Sequence, residues 1–312
     1  MSDVIHTVNL TKAYGQVLAV NNVDLSVAKG EIYGFLGLNG AGKTTIIRML
    51  LGMATPTFGE CYLNGEKVNP GKVNIWRDVG YIVETPYSYP ELTVKENLEI
   101  VQKLRGITNK SFVNWIIKKL KLEAYASKKT KHLSMGNNQR LGIAKALIHK
   151  PKILILDEPT NGLDPAGIVE VRHLLKDLAK NSGITILVSS HKLDEISRLA
   201  TNIAIIHNGE LIKKINGEQL EKQLHKSLLV DGKDRTAIKD ILSKAGYKAS
   251  IYSSDESSLL QISEEDAINN PEKIATLLVN SGHSPMLLKV EKEDLEMYFL
   301  RTIKSTGGDK SE

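Results

Sequence analysis

Three glycines and a lysine fall within eight residues, Gly37-Leu38-Asn39-Gly40-Ala41-Gly42-Lys43-Thr44, directly after the apolar run from Ile32 to Leu36. Glycines at this spacing let successive backbone N–H groups turn toward phosphate oxygens at a helix N-terminus, where unpaired donors and the helix dipole favour negative charge. On this reading Gly37, Asn39, Gly40, Ala41, Gly42, Lys43, Thr44 and Thr45 form the cradle of a nucleotide such as ATP. Lys43 neutralises the β and γ phosphates, and Thr44 offers its hydroxyl to Mg²⁺. The stretch from Thr44 to Leu51 has helical character, so strand, glycine-rich turn and helix follow one another as this chemistry requires.

A second constellation follows from Ile153-Leu154-Ile155-Leu156, the continuous apolar pattern of a strand buried in a parallel sheet, which ends in Asp157-Glu158. Ligands of parallel sheets bind beyond the carboxyl ends of the strands. Asp157 would hold Mg²⁺ through water, and Glu158 would polarise the attacking water as general base. Adjacent acids after a strand are otherwise a solvated loop start, and the phosphate loop upstream is what changes the reading.

Between these two elements stands Leu133-Ser134-Met135-Gly136-Asn137, followed by Gln139-Arg140-Leu141. With it the chain resembles the ATP-binding-cassette (ABC) transporter ATPases over residues 4 to 212. The resemblance implies that Tyr14 stacks on adenine, that Glu84 holds the Q-loop position as a further Mg²⁺ ligand, that Asn161-Gly162-Leu163-Asp164 is the D-loop, and that His191 after Ser189-Ser190 contacts the γ-phosphate. A tyrosine at position 14 is otherwise a core aromatic, and a lone histidine after a strand is otherwise a satisfied polar residue. The resemblance also implies two copies of the chain sandwiching nucleotide, with Ser134 and the backbone of Gly136 capping a helix that faces the γ-phosphate bound by the other copy. Catalysis is thereby expected of Glu158, His191 and Lys43.

Two positions depart from the family pattern. Met135 and Asn137 stand where glycine and glutamine are usual, which makes the phosphate-facing turn bulkier. Glu84 replaces the usual glutamine, keeping an oxygen for Mg²⁺ while adding charge beside the phosphates. That substitution resembles the ATPase subunits of lantibiotic-immunity and bacitracin-resistance exporters. The implied function is ATP-driven efflux of peptide antibiotics through a separate integral-membrane permease, from the cytoplasmic face of the membrane. Export of another substrate through the same kind of permease is the nearest alternative. A cassette ATPase acting on DNA or ribosomes would bring a second cassette or a long coiled-coil insertion, neither of which is present, and no nucleic-acid partner is expected.

The elements that must position these residues are legible in the pattern. Val23, Leu25 and Val27 alternate with polar residues, and Asn64-Gly65 reads as a hairpin turn, so an antiparallel β subdomain is expected at the N-terminus. Residues 85–150 read as an inserted helical subdomain, with Thr93 and Ser111 as N-caps. The runs Ile153 to Leu156 and Ile184 to Val188 flank helical residues 167–180, the strand–helix–strand signature of a parallel sheet. Ile203 to Ile206 and Leu211-Ile212, joined by Asn208-Gly209, close this domain with a hairpin. The expected fold class is α/β for residues 1–216, followed by an α+β accessory domain of ferredoxin-like βαββαβ order over 217–305 and a polar tail from 306 to 312.

Composition agrees with a two-domain globular chain of 312 residues carrying 25% charged residues, and disorder is excluded. From Glu221 onward there are 13 basic and 16 acidic residues, against 28 and 20 before it, so an anionic ligand belongs to the first part. The lysines at 118, 119, 121, 128, 129 and 131 read as a solvated helix face, or alternatively as a surface for anionic lipid or an acidic permease loop. The single cysteine, Cys61, forbids an internal disulfide and reads as a packing residue in a reducing compartment. No apolar run approaches a membrane span.

Overall fold

The computed structural model of the protein describes residues 3–109, 111–254, 257–293 and 295–306. The strands β1 (Asp3–Tyr14) and β2 (Val17–Ala28) form a long antiparallel hairpin. Its alternation is a true sidedness: Val23, Leu25 and Val27 all face the core. β3 (Ile32–Leu36) is buried at every position and runs into the phosphate loop and α1 (Lys43–Leu50). β4 (Phe58–Leu63) and β5 (Glu66–Lys67) complete a sheet in the order β2-β1-β4-β5. Asn64 and Gly65 join them with φ values of 50° and 77°, the pair of left-handed residues that a two-residue hairpin turn demands.

After β6 (Val79–Ile82) come α2 (Val94–Leu104), α3 (Ser111–Lys119) and α4 (Met135–Leu147). Thr93 caps α2 reciprocally: its hydroxyl accepts from the Glu96 N–H at 3.2 Å, and the Glu96 carboxylate accepts from the Thr93 N–H at 2.7 Å. Ser111 is not the cap expected of it. It is the first helical residue of α3, and its N–H donates to the side chain of Asn109 at 2.9 Å. An asparagine two residues upstream reaches that donor without strain, which leaves Ser111 free to enter the helix.

The chain then gives β7 (Ile153–Asp157), α5 (Pro165–Ser182), β8 (Thr185–Ser190), α6 (Leu193–Ser197), β9 (Asn202–His207) and β10 (Glu210–Asn216). A six-stranded sheet results in the order β10-β9-β3-β8-β7-β6, parallel except for β10. Its register aligns the carboxyl ends of β3, β8 and β7, with Leu36 opposite Ser190 and Asp157 opposite Ser189. Three loops from distant parts of the chain therefore leave the sheet at one level. A single apolar cluster joins this sheet to the N-terminal one, with Ile46 and Ile47 of α1 packed among Phe35, Ile155 and Leu187.

Two compact units are present. One ends at Leu220 and takes in the chain again from Thr302; the other is Glu221–Arg301, so the division falls within α7 (Gly217–Gln223). The second unit contains β11 (Lys226–Asp231), α8 (Arg235–Lys244), β12 (Ala249–Ser254), β13 (Ser257–Ile262), α9 (Glu265–Asn269), α10 (Pro271–Asn280) and β14 (Leu287–Lys292), before α11 (Leu295–Thr306). Its antiparallel sheet has the order β12-β13-β11-β14, the strand arrangement of a ferredoxin-like fold. Leu228, Val230, Ile238, Leu260, Ile274 and Leu278 give it a core of its own. The short α9 was not anticipated. Pro271 starts a new helix at its first turn and so separates α9 from α10. The expected tail, past Thr306, lies outside the described residues.

Candidate functional site

The phosphate loop is built where backbone must approach backbone. A Cβ on Gly37 would fall 2.5 Å from the carbonyl oxygen of Ile206, and Gly42 combines φ +106° with a carbonyl, that of Ala19, 2.7 Å from where its Cβ would stand. Only glycine meets both conditions. Asn39, Gly40, Ala41, Gly42, Lys43, Thr44 and Thr45 line a cavity of about 210 Å³ together with Ala19 and Glu158. Lys43 is buried; its Nζ donates to the carbonyls of Gly37 at 2.7 Å and Leu38 at 3.1 Å, and stands 3.8 Å from Glu158 Oε1. Burial pushes its ammonium pKa down, against the attraction of Glu158 and Asp157. The ammonium is thus desolvated and held on loop carbonyls at the mouth of a cradle made for an anion.

The carboxyl end of β7 faces this loop. Asp157 accepts from the Thr44 hydroxyl at 2.8 Å and from the Ser189 hydroxyl at 2.5 Å. The same Ser189 oxygen accepts the backbone N–H of Glu158 at 3.0 Å, so one fully buried hydroxyl aligns both acids. Glu158 has φ +48°, and its side chain lies between Lys43 and His191, whose Nδ1 is 3.0 Å from Oε2. Gln139 of α4 donates to the Glu158 carbonyl at 3.4 Å. Thr44 and Asp157 present a hydroxyl and a carboxylate side by side, hard oxygen donors of the kind Mg²⁺ takes, so the residues fit that ion. Among the described residues, no group of three or more His, Cys, Asp or Glu is gathered to hold a metal by itself. Oxygen atoms of a bound phosphate and of water would complete the shell.

Glu84 and Tyr14 stand apart from this network. Glu84, at φ +56°, is exposed, and its Oε1 accepts from Arg48 of α1 at 2.5 Å. No hydrogen bond joins it to Thr44 or Asp157 among the described contacts. Tyr14 closes β1 with 49% of its surface exposed, under the Lys12 ammonium at 5.0 Å. It is therefore no core aromatic, and the Lys12 ammonium covers one face of its ring. Ser134 caps α4 by accepting from the Asn137 N–H at 3.3 Å. Met135 is exposed beside it, so the start of α4 opens to solvent.

Sequence reasoning missed the Ser189 hydroxyl, the Gln139 amide and the Arg48 partner of Glu84. Their only signal was position: Ser189 is the penultimate residue of a buried strand, two before His191. The lysine cluster is mostly spent on ion pairs, Lys119 with Asp177, Lys121 with Glu170, and Lys129 and Lys131 both with Glu91. That supports solvated, paired lysines over a free cationic surface, but only Lys118 and Lys119 lie on a helix face, the others following it in turns.

The family described as ABC transporter matches residues 20–161. An AAA-domain family linked with the AbiEii toxin of type IV toxin–antitoxin systems matches residues 130–197, a stretch with the strand-borne acids and without the phosphate loop. The bacitracin transport ATP-binding protein BcrA of Bacillus licheniformis is 40% identical over 97% of this chain and 98% of its own. The lantibiotic transport ATP-binding protein SrtF of Streptococcus pyogenes is 38% identical over 226 residues, 72% of this chain and 96% of its own. Among solved structures, the dimeric post-hydrolysis state of the ATP-binding cassette MJ0796, bound to ADP and Pi, superposes with a TM-score of 0.63 at 30% identity, covering 68% of this chain and 98% of its own.

Proposed function

The chain belongs to the ABC transporter family as an ATPase subunit, and on that premise we propose that it powers an exporter of peptide antibiotics of the bacitracin or lantibiotic type. The observation that carries the choice is the extent of likeness. The match to BcrA runs through 97% of the chain and so includes the second unit, whereas SrtF spends 96% of its length on 226 residues and has no room for one. Bacitracin-like peptides are therefore favoured over lantibiotics. Among the described residues no helix is long and apolar enough to cross a membrane. The translocation path is assigned to a separate permease, which this chain meets at the cytoplasmic face.

The site residues divide the work of hydrolysis. The loop N–H groups from Asn39 to Thr45 bind the phosphates, Tyr14 takes the adenine, and Lys43 exchanges the carbonyls of Gly37 and Leu38 for phosphate oxygens. Glu158 accepts the proton of the attacking water, held in aim by Ser189 through its N–H and by His191 through its carboxylate. His191 also steadies the γ-phosphate. Thr44 and Asp157, joined by Glu84 once it leaves Arg48, would hold Mg²⁺, which would supply charge neutralisation on the phosphates. Ser134 and the Gly136 N–H reach the nucleotide of a second copy, so that two chains enclose two ATP molecules and separate after hydrolysis.

The test is survival of cells that carry this protein and its permease when challenged with bacitracin, with a lantibiotic and with unrelated drugs. Protection against bacitracin that disappears in Glu158→Gln is the expected result. Protection against an unrelated compound alone would overturn the peptide-antibiotic reading and leave the ATPase standing.

A further inference from the structure

Met135 is the side chain by which the turn at the head of α4 departs from the usual glycine. Although Met135 is 66% exposed, its thioether end is seated on the backbone of Gly162. A Cβ at Gly162 would fall 2.3 Å from Met135 Cε and 2.6 Å from Cγ, and Gly162 has φ +76°. The Gly136 backbone comes nearly as close, since a Cβ there would lie 3.1 Å from the Gly162 oxygen. One helical turn on, the buried Gln139 donates to the carbonyl of Glu158. The segment between these contacts is tied to itself, by the Asn161 N–H on the Glu158 oxygen at 3.2 Å and the Leu163 N–H on the Thr160 oxygen at 3.2 Å. The head of α4 therefore grips the Glu158 turn at both ends.

The geometry points to Met135 as a positioning residue that couples the two nucleotide sites of a dimer. Seated on Gly162, it passes a displacement of the signature turn, which faces one nucleotide, to the Glu158 turn of the same chain, which serves the other. The inference rests on the two-copy reading proposed above. Cγ, Sδ and Cε all lie against the one glycine, so a shift of either backbone meets the other, and an unbranched thioether fills the space over a glycine without forcing the backbone. A methionine that only crowded the phosphate would change KM and dimer affinity. One that couples the turns changes kcat and cooperativity.

The experiment measures ATPase rate against ATP concentration for the full chain and for Met135→Gly, Met135→Leu, Gly162→Ala and the double variant Met135→Gly/Gly162→Ala. The wild type is expected to be cooperative. Met135→Gly should bring the Hill coefficient toward 1 and lower kcat roughly threefold to tenfold, with KM changed by less than about twofold. Met135→Leu should keep the wild-type behaviour, and the double variant should recover part of the rate lost in Gly162→Ala, because the added methyl no longer meets the thioether. Strictly additive effects, or an unchanged Hill coefficient in Met135→Gly, would overturn the proposal while the dimer stands. Absence of an ATP-trapped dimer of Glu158→Gln by sedimentation would remove the two-copy reading and the coupling with it.

Discussion

Glu158 is bracketed by Lys43 at 3.8 Å and His191 at 3.0 Å, and its backbone is held by Ser189 and Gln139, so few rotations of its carboxylate remain. Replacing it with glutamine keeps the shape and removes the base. Turnover of Glu158→Gln should fall on the order of 10²-fold or more while ATP still binds, as rapid-mixing hydrolysis and equilibrium binding would show. Lys43→Ala should lose nucleotide binding instead, because the ammonium is the cation built into the cradle. Glu84→Gln should keep binding and much of the hydrolysis, since the amide retains an oxygen for Mg²⁺, whereas Glu84→Ala should uncouple hydrolysis from transport, read as ATPase rate against peptide efflux. The loop and the strand-borne acids were legible because glycine spacing and a continuous apolar run are local signals. Ser189 and Arg48 were not, because their roles arise from register and from helix facing across 32 and 36 residues of chain.

At the scale of elements, caps and helix–strand junctions carry the predictions. Thr93→Ala should cost about 1 kcal/mol by removing the hydroxyl half of a capping box, measured as a shift in urea midpoint. The junction after α4 is sensitive to acid. His149 Nε2 lies 3.0 Å from the carbonyl of Val79, to which Arg105 also donates, and Nδ1 has no partner. Burial, aided by the Arg105 charge, pushes the His149 pKa from 6.5 down to about 4. The folded chain thus refuses a proton that the unfolded chain accepts, so this residue's contribution is fully present above pH 6.5 and is lost as pH falls toward 4. Urea denaturation at several pH values should show wild type losing more stability over that window than His149→Gln. Strands and long helices followed from period and length. The start of α3 did not, since only the local turn decides that Ser111 enters the helix with its N–H on Asn109.

For the whole molecule, an exposed signature turn and a separate phosphate loop on one chain predict complementation. Mixing Ser134→Arg protein with Lys43→Ala protein should restore one of two composite sites and give activity above either alone; rates strictly proportional to the two components would argue against it. The chain cut after Leu220, which also loses the returning segment from Thr302, should still bind nucleotide, because the second unit has its own core and neither part lost contributes a residue to the phosphate cradle. What should change is assembly or coupling to the permease. The βαββαβ order of the second unit was readable from pattern, while β6 and the sheet registers depended on pairings between distant segments. Cys61 is the single thiol of the chain, 3% exposed in β4, and burial pushes its pKa up to about 12. A maleimide needs an accessible thiolate, so the native protein is already a blank background for labelling. A cysteine introduced at exposed Val17 or Tyr87 would take a fluorophore or spin label alone, with no cysteine first removed.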